Sequence, residues 1–172
     1  MQRLGSLPSC GSCAALGGSS IVNARIPPWA LRVLQAMGAV WTLPNTLIGL
    51  LAGLAGCIAG ARVYWSRRDC ALVFRRWPWG PGGAITLGMV ILHTGADLDG
   101  LCMTYEHRAG RCQHPRVRLG DHERAHVYQY MLLGPLFLPV YLLCGGVSVR
   151  NPFERAADRY AMQGRGWFPG VG

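Results

Sequence analysis

The chain contains no lysine, and all 17 of its basic residues are arginine. Acidic residues number only eight, and charged residues of both signs make up 15% of the sequence. A typical soluble domain carries about 25%. With 51% hydrophobic residues, the balance leans away from a water-soluble domain and toward a membrane protein. The net charge of +9 speaks to partners rather than to fold: a GC-rich coding sequence would explain it without function, and contact with anionic lipid or nucleic acid is the other reading. No basic helix interleaved with aromatics is present, so nucleic acid is not an expected partner. There is no phosphate-binding loop and no dinucleotide glycine pattern, which argues against nucleotide chemistry. No internal repeat is found, and 172 residues suffice for one modest domain.

Cysteines number seven, an odd count scattered along the chain. Cys10 and Cys13 form a lone C-x-x-C with no strand or helix pattern after it. Cys57 and Cys144 lie in apolar runs and read as small hydrophobes. Cys102, His107, Cys112 and His114 crowd one loop, but their spacing matches no standard zinc module, and they read as loop residues. His93, His107 and His114 are taken as incidental. Residues 1–32 are rich in Gly, Ser and Pro and too polar for a secretory signal; they read as a flexible leader.

Two uncharged runs stand out. Residues 33–61 hold 29 residues without a charge, between Arg32 and Arg62. About 20 apolar residues cross a bilayer as a helix, so this run reads as one firm transmembrane segment. Pro44 and Asn45 kink it or begin the true span, and Gly49, Gly53, Gly56 and Gly60 suit close helix packing in lipid. Arg62, Arg67, Arg68, Arg75 and Arg76 crowd its far side, which places residues 62 onward in the cytoplasm. Residues 62–113 read as a small β-rich region. "CALVFRR" is one strand, and "AITLGMVILHT" is a second, apolar on both faces. Residues 131–149 are 19 without a charge, but Gly134-Pro135, Pro139 and Gly145-Gly146 argue against one straight helix. Asn151-Pro152 reads as a helix start.

Residues 114–172 carry the chemistry. His122, Glu123 and His126 form H-E-x-x-H. Residues four apart share a helix face, so both imidazoles can reach one zinc ion while Glu123 holds an attacking water. Such a site needs a third protein ligand. Glu154, 28 residues after His126, is the candidate. Asp158, one turn further, can accept a hydrogen bond from a liganding His and fix its tautomer. Asp121 reads as the N-cap of the motif helix.

H-E-x-x-H, an apolar segment and then E-x-x-A-D resemble the membrane gluzincin peptidases of the HtpX type and the BlaR/MecR sensor-transducer type. "HERAHVYQ" is also similar to the motif of the eCIS core domain. The resemblance covers residues 119 to about 161. It implies Zn2+ held by His122, His126 and Glu154, Glu123 as general base, and Asp158 as hydrogen-bond partner to a ligand. The blocks "WTLPNT", "HERAHVYQY" and "NPFE" also resemble those of small bacterial membrane proteins.

The expectation is an α+β membrane protein with one transmembrane helix, a small β portion, and a motif helix followed by a re-entrant or interfacial apolar segment. Its partners would be the lipid bilayer and a peptide or protein substrate, at a bacterial inner membrane with the bulk of the chain cytoplasmic. The strand near 84–93 would hold an extended substrate. A second reading stands beside it: a non-catalytic integral membrane protein whose His/Glu cluster is structural or vestigial. In that case Glu123 and Arg124 form a solvated helix face and Glu154 pairs with Arg150 or Arg155. Sharing one metal requires the apolar segment after His126 to return to the side it left.

Overall fold

The computed structural model describes residues 27–80, 82–110 and 116–170, so most of the leader, with Cys10 and Cys13, lies outside it, as do Cys112 and His114. The fold is mixed α+β. Helices α1 (Pro28–Trp41) and α2 (Leu43–Ile58) come first, and α1 begins inside the stretch read as leader. The uncharged run at 33–61 is therefore not one straight span. Its two helices meet at Thr42 and are bent by 69°. Pro44 is the cause in the sequence: it has no amide to donate back to the preceding turn, so it starts a new helix.

Strands β1 (Arg62–Ser66), β2 (Ala71–Arg75), β3 (Ala84–Leu87) and β4 (Val90–His93) form a four-stranded sheet in the order β1-β2-β4-β3, with β2 parallel to β4. The segment "AITLGMVILHT" is thus a hairpin rather than one strand, with Leu87 paired to Val90. Gly88 sits first in its two-residue loop with φ of 65°, the left-handed conformation that tight hairpin turns demand and glycine supplies.

Both faces of the central strands β2 and β4 are covered, which explains why these two are apolar over most of their length. Phe74, Val90 and Leu92 pack toward α2 with Leu50, Ala52 and Cys57. Ala71, Val73 and Ile91 pack on the opposite side with Val127 and Met131 of α4 (Leu119–Leu133). The glycines of α2 therefore meet the sheet and not another helix. A methyl group at Gly49 would collide with Val90 and Leu87, at Gly53 with Phe74, and at Gly56 with Trp77. The bulky residues of α1 and α2 point the other way: Trp29, Met37, Val40, Leu51, Leu54 and Ile58 are exposed.

A second ladder, β5 (Leu101–Met103) with β6 (Arg116–Arg118), delivers the chain into α4. The β-rich region thus extends past residue 113. Asp121 does not cap α4. The helix begins at Leu119, and carbonyls of the preceding loop accept its first amides, Leu119 N to Gly100 O and Gly120 N to Leu98 O. Asp121 instead gathers Arg68 at 3.1 Å and Arg124 at 3.0 Å. Arg118 bridges Asp69 at 3.0 Å and Asp99 at 2.7 Å. The start of α4 is thereby fixed to the β1–β2 turn.

By length and composition the helical run Leu119–Leu143 is apolar enough to cross a membrane. It is not straight. Gly134 has φ of 56° and ψ of −132°, and a 3-10 turn (Gly134–Leu136) leads into α5 (Phe137–Leu143). The Tyr141 ring comes within 6.1 Å of the His126 ring, where a straight helix would separate these positions by about 22 Å. The apolar segment therefore turns back on α4. Asn45 of α2 donates to the Gly134 carbonyl at 2.9 Å and holds that turn. Then α6 (Pro152–Gln163) packs along α4. Its start is as expected: the Asn151 side chain accepts from Phe153 N at 3.0 Å, and Pro152 is in the first turn.

Replacing Gly53 by alanine tests the sheet packing of α2. In an exposed helix this change stabilises by about 0.5–1 kcal/mol. Here the added methyl meets the Phe74 ring, itself buried by the sheet. Chemical denaturation should show a loss of about 1–3 kcal/mol, the usual cost of overpacking; a gain in stability would contradict the packing described.

Candidate metal centre

Helix α4 is wedged between the sheet and α6, so its polar residues are carried into the interior. His122, Glu123, His126 and Gln129 are all buried, as are Glu154 and Asp158 on α6. Burying so many ionisable groups is costly unless each finds a partner. The solvated face considered for Glu123 is therefore not what forms, and Glu154 faces the histidines rather than Arg150 or Arg155.

Three of these side chains converge. His122 Nε2 lies 3.1 Å from Glu154 Oε2, and His126 Nε2 lies 3.2 Å from His122 Nε2. The third distance, His126 Nε2 to Glu154 Oε2, is 3.5 Å. The partners on the other ring nitrogens assign the tautomers. His122 Nδ1 faces Asp158 Oδ1 at 3.0 Å, and a carboxylate only accepts, so Nδ1 carries the proton. His126 Nδ1 faces Gln129 Oε1 at 2.8 Å. That amide cannot be flipped, because its Nε2 donates to Trp167 O at 2.7 Å and to Phe153 O at 3.2 Å. With the proton on Nδ1, each ring in its neutral form keeps its lone pair on Nε2, facing the other ring and the Glu154 oxygen.

Three acceptors in mutual contact need a cation between them, either a metal ion or a proton on one ring. The spacing suits a metal. A tetrahedral ion with bonds of about 2.0–2.1 Å has ligands about 3.3–3.4 Å apart. A proton suits it too: burial opposes ionisation of Glu154, but positive charge on His126 and His122 beside it holds its carboxyl well below the usual carboxylate range. His122, His126 and Glu154 thus form a buried group that can hold a metal ion.

The remaining contacts fix this geometry. Asp158 Oδ2 accepts the Tyr105 amide at 2.7 Å, so its other oxygen stays on His122. The Tyr141 hydroxyl donates to Glu154 Oε1. Glu123 stands outside the trio, and Thr86 of β3 donates to its Oε2 at 2.6 Å. Of the other residues weighed from sequence, Cys102 lies in β5 and His107 in the short helix α3 (Tyr105–Arg108), while His93 is buried in β4 against the Gly83 carbonyl at 2.9 Å. None of them joins the trio. Gln129, Thr86 and Tyr141 escaped the sequence reading. Gln129 had a signal, since it lies three residues after His126 on the same helix face. Thr86 and Tyr141 had none, because a hairpin and a reversed helix bring them in.

Comparison with known proteins identifies no relative: no family model, no curated protein and no solved structure matches the chain.

The supporting contacts can be tested through metal affinity. Asp158→Ala and Gln129→Leu should each weaken binding by roughly 10- to 100-fold, as the loss of a hydrogen bond to a liganding imidazole does. Competition against a chelator in the full chain measures this, and unchanged affinity in both variants would refute the assigned tautomers.

Proposed function

We propose that the chain is a zinc-dependent peptidase acting at the surface of a bacterial membrane. The convergence of His122, His126 and Glu154 at 3.1–3.5 Å carries this reading. The resemblance of H-E-x-x-H and E-x-x-A-D to the gluzincin pattern supports it. Zinc, when bound, supplies an acidified water and polarises a carbonyl. The chain's own residues do the rest. Glu123 takes the proton of the attacking water, and Thr86 holds one of its oxygens so that the other is free to do so. Strand β3 ends the sheet, and among the described residues its outer edge has no strand partner. An extended peptide added to that edge would run past Thr86 and Glu123.

The membrane assignment is supported by the outward apolar residues of α1 and α2 and by the helical run at 119–143. Arginines at 62, 67, 68, 75 and 76 favour a cytoplasmic position for the bulk of the chain. One observation favours the non-catalytic alternative: Glu123 and all three candidate ligands are buried, as in closed structural sites, whereas catalytic zinc keeps an open position.

One variant tests the ligand assignment and a second separates the readings. His126→Ala should lose bound zinc, since two remaining ligands rarely hold it. Glu123→Gln should keep zinc and lose peptide cleavage by about 100- to 10,000-fold, the usual contribution of a general base. Zinc content and mass-spectrometric detection of cleaved peptides measure both. Stoichiometric zinc in a wild-type chain that cleaves nothing would establish the structural alternative.

A further inference from the structure

Three acidic residues gather near the β1–β2 turn. Arg68, Arg118 and Arg124 are engaged by Asp69, Asp99 and Asp121. At the other end of the β1–β2 ladder the arrangement reverses. Arg62 stands directly opposite Arg75 in the antiparallel register, and like charges placed so destabilise a sheet. Arg76 follows at once. Among the described residues none of these three forms an ion pair; Arg75 only lies over the Tyr64 ring at 5.9 Å. Arg76 also holds φ of 54°, where glycine would be unstrained. Positive charge sits here despite both repulsion and backbone preference.

The surroundings say what would neutralise it. Strand β1 is exposed on both faces. Val63 and Trp65 pair with Phe74 and Leu72, the two β2 residues that pack with α2, so they extend the outward apolar surface of that helix. Arg62 and Tyr64 face the opposite side. The exposed end of α2, with Ile58 at 92% and Leu54 at 56%, runs directly into this strand. Trp79, also exposed, sits edge-on to Trp77 at 5.3 Å. A bare apolar helix bordered by tryptophan, tyrosine and unpaired arginine matches the order of layers at a membrane surface. We propose that Arg62, Arg75 and Arg76 form a docking surface for the phosphate headgroups of anionic phospholipid, with α2, Val63 and Trp65 against the acyl chains. The surface stands apart from the metal centre and does not depend on its chemistry.

The full chain in neutral detergent, titrated with short-chain phosphatidylglycerol or phosphatidylcholine and followed by tryptophan fluorescence, tests this. Wild type should prefer phosphatidylglycerol. Combined Arg62→Gln, Arg75→Gln and Arg76→Gln should lower that affinity on the order of a hundred-fold, about five-fold per arginine. Combined Arg108→Gln, Arg155→Gln and Arg165→Gln removes equal charge elsewhere and should change it little. Arg62→Glu guards against a mere folding defect: it places opposite charges across the ladder, so it should raise thermal stability while weakening the lipid preference. The proposal fails if the two lipids bind alike, if the control variant loses as much, if inorganic phosphate alone reproduces the signal, or if Arg62→Glu binds phosphatidylglycerol as wild type does.

Discussion

Two imidazole nitrogens and one carboxylate oxygen, each offering a lone pair, are held within 3.5 Å of one another in a buried place. Left without a cation, that arrangement would be strongly repulsive, and the surrounding protein is organised to impose it. Asp158 and Gln129 take the opposite ring nitrogens and so turn the lone pairs inward. Tyr141 restrains Glu154 from the far side. These partners come from three helices, so the centre fixes how α4, α5 and α6 meet, and their packing in turn fixes the centre.

The same constraint explains the path of the apolar segment. A helix continuing straight from α4 would carry Tyr141 and then Glu154 away from the histidines. Gly134 reverses the chain, and Asn45, reaching from α2, secures its carbonyl. Asn151 then donates to Tyr141 O at 3.1 Å and Gly146 O at 2.8 Å, closing the segment before α6 begins. A polar residue in each of two otherwise unrelated blocks, "WTLPNT" and "NPFE", is thus tied to the loop that completes the site.

The sequence displayed the centre better than the fold. His122, His126, Glu154 and Asp158 were legible because helix periodicity fixes which residues share a face, and the motif supplied the rest. The path that joins them was not. The run at 33–61 contains no charge, so hydropathy alone shows one span; the break at Thr42 depends on Pro44, and the sheet-facing role of Gly49, Gly53 and Gly56 depends on side chains distant in sequence. Glycine stripes look the same whether they meet a helix or a sheet. Asp121 looked like a cap because its residue type favours one, but backbone carbonyls from the 98–100 loop had already taken that position. The hairpin at Gly88-Met89 was hidden because both faces of β4 are covered and no polar alternation marks the strands.

The convergence of lone pairs can be observed directly. In the 15N-labelled full chain, one equivalent of zinc should shift the Nε2 resonances of both His122 and His126 to values for metal-bound imidazole, with both Nδ1 atoms remaining protonated. A ring that keeps a proton on Nε2, or spectra unchanged by zinc, would contradict the account.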